Sequence, residues 1–368
     1  MIGLYVHVPF CAKKCHYCNF VITTSRPASL GDSFLAALRK EIFKRAALAR
    51  GRVFDTLYIG GGTPSVLSED ELKKIFSILR ENFKFRADAE ITLEANPGDL
   101  TAEKARLLRE SGVNRVSLGA QSFNDPTLRR LNRSHDAAAI RRSFGILRQE
   151  GFQSVNLDLL LSLPEESFED VKGSLEAAAA LGPEHVSLYE LTVEEKTKFG
   201  RDAARGLLKL PDEDAQIERL TVAREFLKKN GYEHYELLNY ARPGFRSRHN
   251  LIYWANGEYL GLGPGAFSYL GGARSRLASS VEEYLRKIKM GDWRPAESER
   301  LSPEKKEIES FLLALRLTEG ADVGATQRVA PTAIQKLKEN GLIEETTGKI
   351  HLTPRGQFFA ETVFAELC

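Results

Sequence analysis

Six short runs rich in branched and aromatic residues recur along the first half of the chain, each followed by a longer stretch of helical period, and few folds accept that order. The runs lie at residues 4–8, 55–60, 90–95, 115–120, 154–161 and 185–191. Amphipathic segments fill the gaps at 33–48, 69–82, 102–111, 137–150 and 168–181. Neighbouring parallel strands need a crossover of about a dozen residues or more, usually a helix. The alternation therefore predicts an α/β fold, a partial (β/α)6 TIM-like barrel over residues 1–240.

The remainder changes character twice. A helical stretch from Pro211 to Lys229 leads into an aromatic and arginine-rich segment, and glycines and prolines follow in GEYLGLGPGAFSYLGG. Residues 241–300 are expected to close the barrel through tight turns. Residues 301–368 read as two helices, a hairpin whose runs at 342–343 and 350–352 flank Thr347-Gly348, and a last helix ending at Cys368. That is a small α+β winged-helix-like domain. With 52 Lys and Arg against 50 Asp and Glu, the net charge is +2. Such balance argues for a wing packed on the barrel and against nucleic acid as a partner. No window approaches about eighteen consecutive apolar residues, so no transmembrane segment is expected. MIGLYVHVPF lacks the basic start and small-residue cleavage site of a leader, so a cytoplasmic location is expected.

Of four cysteines, Cys11, Cys15 and Cys18 stand together in CAKKCHYC, and the fourth is the final residue. This layout suits a metal or cluster better than a disulfide framework. In a loop directly after a strand, three thiolates can converge on one centre. Structural zinc takes four protein ligands, whereas an iron–sulfur cubane held by three cysteines leaves one iron open to an outside group. Zinc completed by His16 or Cys368 is the alternative, and a redox pair or plain buried thiols are others.

CAKKCHYC has the CxxxCxxC spacing of the radical S-adenosylmethionine (SAM) superfamily, and YVHVPFCAKKCHYCNF resembles its oxygen-independent coproporphyrinogen III oxidase-like family. The resemblance runs on through GGGTP, LEANP, GAQSF, LNRSH and NLDLLLSLP, nearly the whole chain. It implies a [4Fe-4S] cluster on Cys11, Cys15 and Cys18, with SAM as the outside group. Ligands of βα barrels sit at the carboxyl ends of the strands. Gly60, Gly61, Gly62 and Thr63 end the second strand, where glycines let the backbone approach and donate to the charged end of SAM; the resemblance makes Gly61, Gly62 and Thr63 SAM contacts. Glu94, Gln121 and Asp158 come from the next three strands, carboxylates suiting ribose hydroxyls and the α-amino group. Arg133 suits the SAM carboxylate through a forked contact. Taken singly, Asp158 also reads as a loop cap and Arg133 as solvated. Tyr5, Tyr17, Thr192 and Phe267 match further positions lining the site, though Tyr5 and Tyr17 fit core packing equally well. His7 reads as a strand residue satisfied by neighbouring backbone.

Two departures select a branch. Phe20 stands two residues after Cys18, where the porphyrinogen decarboxylase carries another cysteine, and the cysteine loop follows Met1 closely where that enzyme has a longer arm. Both features resemble the heme chaperone (HemW) group, as does HNLIYW at 249–254, which fits that group's HNxxYW motif. The resemblance implies heme as bound cargo, with His249 as axial ligand and Tyr253 and Trp254 as flat apolar faces. Arg242, Arg246, Arg248, Arg274 and Arg276 are the cations within reach of propionates; alone, the segment reads as an aromatic core edge beside a solvated basic loop. The implied function is delivery of heme to an apo-hemoprotein recipient. The alternative is an enzyme, a coproporphyrinogen III dehydrogenase-type oxidoreductase acting in porphyrin biosynthesis. Cycling of the cluster in either case needs flavodoxin or ferredoxin as electron donor.

Overall fold

The computed structural model describes residues 1–326 and 330–367, so Cys368 lies outside the described residues. Its first half holds β1 (Ile2–Val8), α1 (Ala28–Arg45), β2 (Val53–Gly61), α2 (Glu69–Asn82), β3 (Lys84–Ala95), α3 (Ala102–Glu110), β4 (Arg115–Gln121), α4 (Asp125–Arg130), α5 (Ala137–Gln149), β5 (Val155–Leu161), α6 (Phe168–Leu181) and β6 (His185–Glu190). These six strands pair in parallel and in chain order. Local chemistry starts the helices where the sequence changes period: Ser68 with Glu71, and Ser167 with Asp170, form reciprocal caps at α2 and α6. The short helix α4, with Asn124 as its cap, falls inside a stretch too brief to show helical period.

Each strand alternates strictly between two faces. Leu4, Val6, Leu57, Ile59, Leu93, Val116, Leu118, Leu157, Leu159, Val186 and Leu188 are buried with the helices in the main hydrophobic core. The opposite face turns into the barrel and is polar: Thr56, Thr92, Arg115, Ser117, Asn156, His185 and Ser187 are all buried there. Hydrogen bonds link part of that interior, while Thr92 Oγ1 and Arg115 Nε have no hydrogen-bond partner among the described residues. Asn156 donates to Ser117 and Asp158, His185 Nδ1 lies 2.6 Å from Asn156 Oδ1, and His185 Nε2 lies 2.7 Å from the Tyr235 hydroxyl.

The barrel is open. After α7 (Lys198–Ala204) and α8 (Glu213–Lys229), β7 (Glu233–Glu236) and β8 (Asn239–Ala241) continue the sheet antiparallel beyond β6. Next comes α9 (Arg248–Trp254), then β9 (Glu258–Leu262), β10 (Phe267–Leu270), β11 (Ala273–Arg276), α10 (Val281–Met290) and β12 (Glu297–Arg300). Here β9 lies parallel to β1 and carries the antiparallel β10, β11 and β12 outward, so segment 241–300 extends the sheet on its other flank. Within this segment α9 packs near the amino ends of the strands, where Glu90 accepts the backbone N–H groups of Arg248 and His249 at 2.9 and 3.0 Å.

The last segment has its own core of Phe311, Leu315, Ile334, Leu337, Ile343, Ile350 and Val363. It comprises α11 (Pro303–Ala314), β13 (Ala321–Asp322), α12 (Val323–Thr326), α13 (Pro331–Glu339), β14 (Ile343–Thr346), β15 (Lys349–Leu352), α14 (Pro354–Phe358) and α15 (Ala360–Leu367). Thr347 and Gly348 both adopt positive φ, 52° and 78°, in the hairpin turn between β14 and β15. Leu237 from the barrel side joins this core, and its N–H donates to the Arg316 carbonyl at 2.9 Å.

Candidate functional site

The three cysteines sit at the carboxyl-terminal mouth of the barrel in a loop fastened from four directions. Cys11 N–H donates to Thr23 O at 3.1 Å, His16 N–H to Leu131 O at 3.1 Å, Thr63 N–H to Phe10 O at 2.7 Å and Phe199 N–H to His16 O at 2.9 Å. All three thiols are free and line one cavity of about 450 Å³. The Thr63 hydroxyl donates to Cys11 Sγ at 3.4 Å and Arg133 Nη1 to Cys15 Sγ at 3.3 Å. Donors aimed at sulfur fit thiolates of an iron–sulfur cluster, whose potential responds to such bonds. Burial pushes the Cys11 thiol up to about 11 and raises that of Cys18, so loading a metal centre must release protons. His16 is turned away from the thiols: its Nδ1 lies 2.8 Å from the Arg130 carbonyl. Among the described residues no three His, Cys, Asp or Glu side chains are grouped to hold one metal ion.

Tyr17, Gly61, Gly62, Thr63, Glu94, Gln121, Arg133, Asp158 and Thr192 line the same cavity. The glycine loop works differently from the expectation. Gly61 N–H donates to Glu94 at 3.0 Å, Gly62 N–H to Val8 O at 2.8 Å and Thr63 N–H to Phe10 O, so these donors are spent on the protein. What the glycines supply is room. A Cβ on Gly62 would meet Phe10 O at 2.6 Å, and one on Gly61, at φ +105°, would meet the His7 ring at 2.4 Å. His7 in turn sits 2.8 Å from Val21 O through Nε2 and 3.1 Å from the Tyr5 hydroxyl through Nδ1. It thus pins the chain just past the cysteines.

Glu94 takes donors from Tyr58 at 2.8 Å and Gly61 at 3.0 Å, yet burial, helped by the nearby Asp158, pushes its carboxyl up to about 7. Asp158 is likewise raised by burial, although Asn156 and Ser117 both donate to it. Two carboxyls whose ionisation burial disfavours share one cavity, and a cationic ligand there would favour their charged forms. Arg133 reaches Asn96 Oδ1 at 2.6 Å and Gly119 O at 2.8 Å, while its buried Nε has no partner among the described residues. Gln121 sits at positive φ, 68°, a strained geometry of the kind that collects at binding sites. Asn96, Asp99 and Glu190 also line the cavity and escaped the sequence reading. Asn96 lies within the flagged LEANP motif, Asp99 follows it by two residues and Glu190 ends β6, so reading every polar residue at or just past a strand end finds them.

Tyr5 and Phe267 belong to a second cavity of about 560 Å³ that shares Asn19, Phe20, Gly61 and Glu94 with the first. Its walls are aromatic: Tyr5, Phe20, Tyr253, Trp254, Tyr259 and Phe267. Phe20 is 68% exposed. His249 lines neither cavity. It is buried near the amino ends of the strands with both ring nitrogens engaged, Nδ1 at 2.6 Å from Thr56 Oγ1 and Nε2 at 2.8 Å from the Tyr253 hydroxyl. Burial and the Arg115 charge bring its pKa down to about 3, so it is a neutral structural imidazole, and an iron would have to displace Thr56 or Tyr253. The HNxxYW segment is α9, a helix too short to announce itself by period, and it splits the motif: His249 anchors while Tyr253 and Trp254 face the cavity. Of the five arginines expected near propionates only Arg274 lines this cavity. Arg246, Arg248 and Arg276 pair with Glu319, Asp88 and Glu297, and Arg242 stacks on Tyr232.

The family described as the Radical SAM superfamily matches residues 5–178. Curated proteins named heme chaperone HemW are similar over almost the entire chain. The one from Bacillus subtilis is 34% identical over 99% of this chain and 98% of its own length, and the one from Mycobacterium tuberculosis 37% over 99% and 94%. That from Escherichia coli is 33% identical over 98% and 97%. Among solved structures, the coproporphyrinogen III oxidase HemN of Escherichia coli, described as a radical SAM enzyme, superposes with a TM-score of 0.87 at 26% identity, covering 100% of this chain and 89% of that one.

Proposed function

This chain belongs to the radical SAM superfamily, within its heme chaperone HemW group, and from that premise we propose that it takes up heme and delivers it to an apo-hemoprotein. The observation that carries the proposal is the aromatic second cavity opening beside the three-thiol cavity across Glu94 and Gly61. In this reading Cys11, Cys15 and Cys18 hold a [4Fe-4S] cluster. Tyr17, Gly61, Gly62, Thr63, Glu94, Gln121, Arg133, Asp158 and Thr192 surround SAM, and Tyr5 and Phe267 border it from the second cavity. Cluster and SAM, when bound, supply one-electron chemistry, for which flavodoxin or ferredoxin is the donor. Heme lies between the aromatic walls, with Tyr253 and Trp254 against its faces and His249 holding the wall in place.

The second reading is oxidative decarboxylation of coproporphyrinogen III, favoured by the full-length likeness to HemN. Phe20 in place of that enzyme's further cysteine speaks for the chaperone. No helix among the described residues is long and apolar enough to cross a membrane. The assignment to the cytoplasm rests on the reducing environment that free cysteines require.

The test is anaerobic incubation of reconstituted protein with SAM, reductant and either heme or coproporphyrinogen III. Heme uptake near one per chain and its transfer to an apo-hemoprotein, without protoporphyrinogen, is the expected outcome; protoporphyrinogen production overturns it. A His249→Ala variant should keep the position of the heme absorption bands while losing about 1–3 kcal/mol of stability, because Thr56 and Tyr253 lose a buried partner. Shifted bands would instead make His249 the iron ligand.

A further inference from the structure

We propose that Arg274 is the receptor for the cargo's carboxylates in the second cavity, and that Glu309 of α11 occupies it until cargo arrives. This rests on the reading of that cavity as the heme seat. Among the described residues lining it, Arg274 is the one permanent cation, since His7 is buried, hydrogen-bonded and held neutral. Glu94 lines the same cavity, and much of the rest of the lining is aromatic. A flat apolar ring with an anionic edge therefore finds its counter-charge in this cavity at Arg274.

Arg274 is placed for that task. It stands on β11 at the cavity rim, its guanidinium 5.6 Å from the Tyr269 ring centroid, and its side chain is 30% exposed. The planar fork of donors on a guanidinium matches a planar carboxylate. Its present partner is Glu309, at 2.7 Å. That pair is a poor one for Glu309, whose second oxygen is buried without a hydrogen-bond partner among the described residues. An arriving propionate offers Arg274 the same charge without that cost. Displaced Glu309 has Lys306 three residues earlier on the same helix, a spacing at which helical side chains meet. The exchange also reaches the far domain, because α11 supplies Leu313 to the cavity wall and Ser310 to Asn256 at 2.9 Å.

The experiment compares ferric protoporphyrin IX with its dimethyl ester, which keeps the ring and iron but lacks the anionic edge, by absorbance titration of the full chain. Wild type should bind the free acid about tenfold or more tightly than the ester, the worth of one charge-assisted contact. Arg274→Gln should weaken the free acid toward the ester's affinity and leave the ester unchanged. Glu309→Gln should tighten the free acid several-fold, again without touching the ester, and it serves as the check should Arg274→Gln fold poorly. Equal affinities for acid and ester in wild type, or a free-acid affinity indifferent to Glu309→Gln, overturn the assignment while leaving the heme seat standing. If wild type binds neither porphyrin stoichiometrically, the heme reading itself falls and takes the assignment with it.

Discussion

Glu94 closes β3 with its carboxyl shared between two cavities, and its titration follows from where the strand ends. The unfolded chain ionises it near 4.5, the fold only near 7. Between those values the folded state holds a proton that the unfolded state has released, so this group's share of stability is whole below 4.5 and is lost as pH rises through about 7. Replacing it by Gln removes the dependence. Urea unfolding of the ligand-free protein should therefore show Glu94→Gln gaining on wild type by roughly 1–3 kcal/mol between pH 4.5 and 8. A difference that stays constant across this range would falsify the buried, protonated carboxyl. Glu94 and Gln121 were legible in the sequence because strand ends are where barrel ligands lie, whereas Arg133 and Asp158 were legible through the family resemblance. The place of His249 was not, since one histidine in an aperiodic segment carries no sign of which mouth of the barrel it enters.

At the scale of elements, the loops after β1 and β2 form one unit. Gly62 and Thr63 are hydrogen-bonded to Val8 and Phe10, so the glycine loop sets the shape of the cysteine loop before any cofactor binds. A methyl group at Gly62 meets two backbone carbonyls within 2.8 Å and neither belongs to a movable side chain. Gly62→Ala should cost about 1–3 kcal/mol and lower iron and sulfide per chain after anaerobic reconstitution, measured against a conservative surface variant. Full iron loading in that variant would uncouple the two loops. GGGTP was visible as a motif, but its N–H groups could be assigned to a ligand or to the protein only once Val8 and Phe10 were seen beside it. Six strands and five of the intervening helices were legible because their periods of two and 3.6 run long enough to register; α4 and α9, at six and seven residues, were too short.

Over the whole molecule, Arg316 is among the arginines that join the barrel to the terminal domain, with Arg246 and Arg274. Arg316 lies 4.4 Å from the Trp254 ring centroid and 5.7 Å from that of Phe364, and its carbonyl accepts Leu237 N–H. Beside it Glu236 is fully buried, its carboxyl pushed up to about 7 by burial even with the Arg316 charge pulling the other way. Without Arg316 that carboxyl rises further, and the contribution it makes is lost as pH climbs above its ordinary range. Arg316→Met should lower stability by about 1–3 kcal/mol, more at pH 8 than at pH 6. An equal loss at both values would mean that Glu236 is indifferent to Arg316. Since Trp254 is also a wall of the second cavity, the same contact ties the terminal domain to the cargo seat.

The order of strands, the parallel sheet, the cysteine loop and the small terminal domain were determined by sequence alone, because periodicity and cysteine spacing act over a few residues. Tertiary structure decided which polar strand residues face inward, which N–H groups are already bonded, and that two cavities meet at Glu94. Those are contacts between residues tens to hundreds of positions apart, such as Thr56 with His249 or Arg274 with Glu309. No local pattern records a partner that arrives only when the barrel forms.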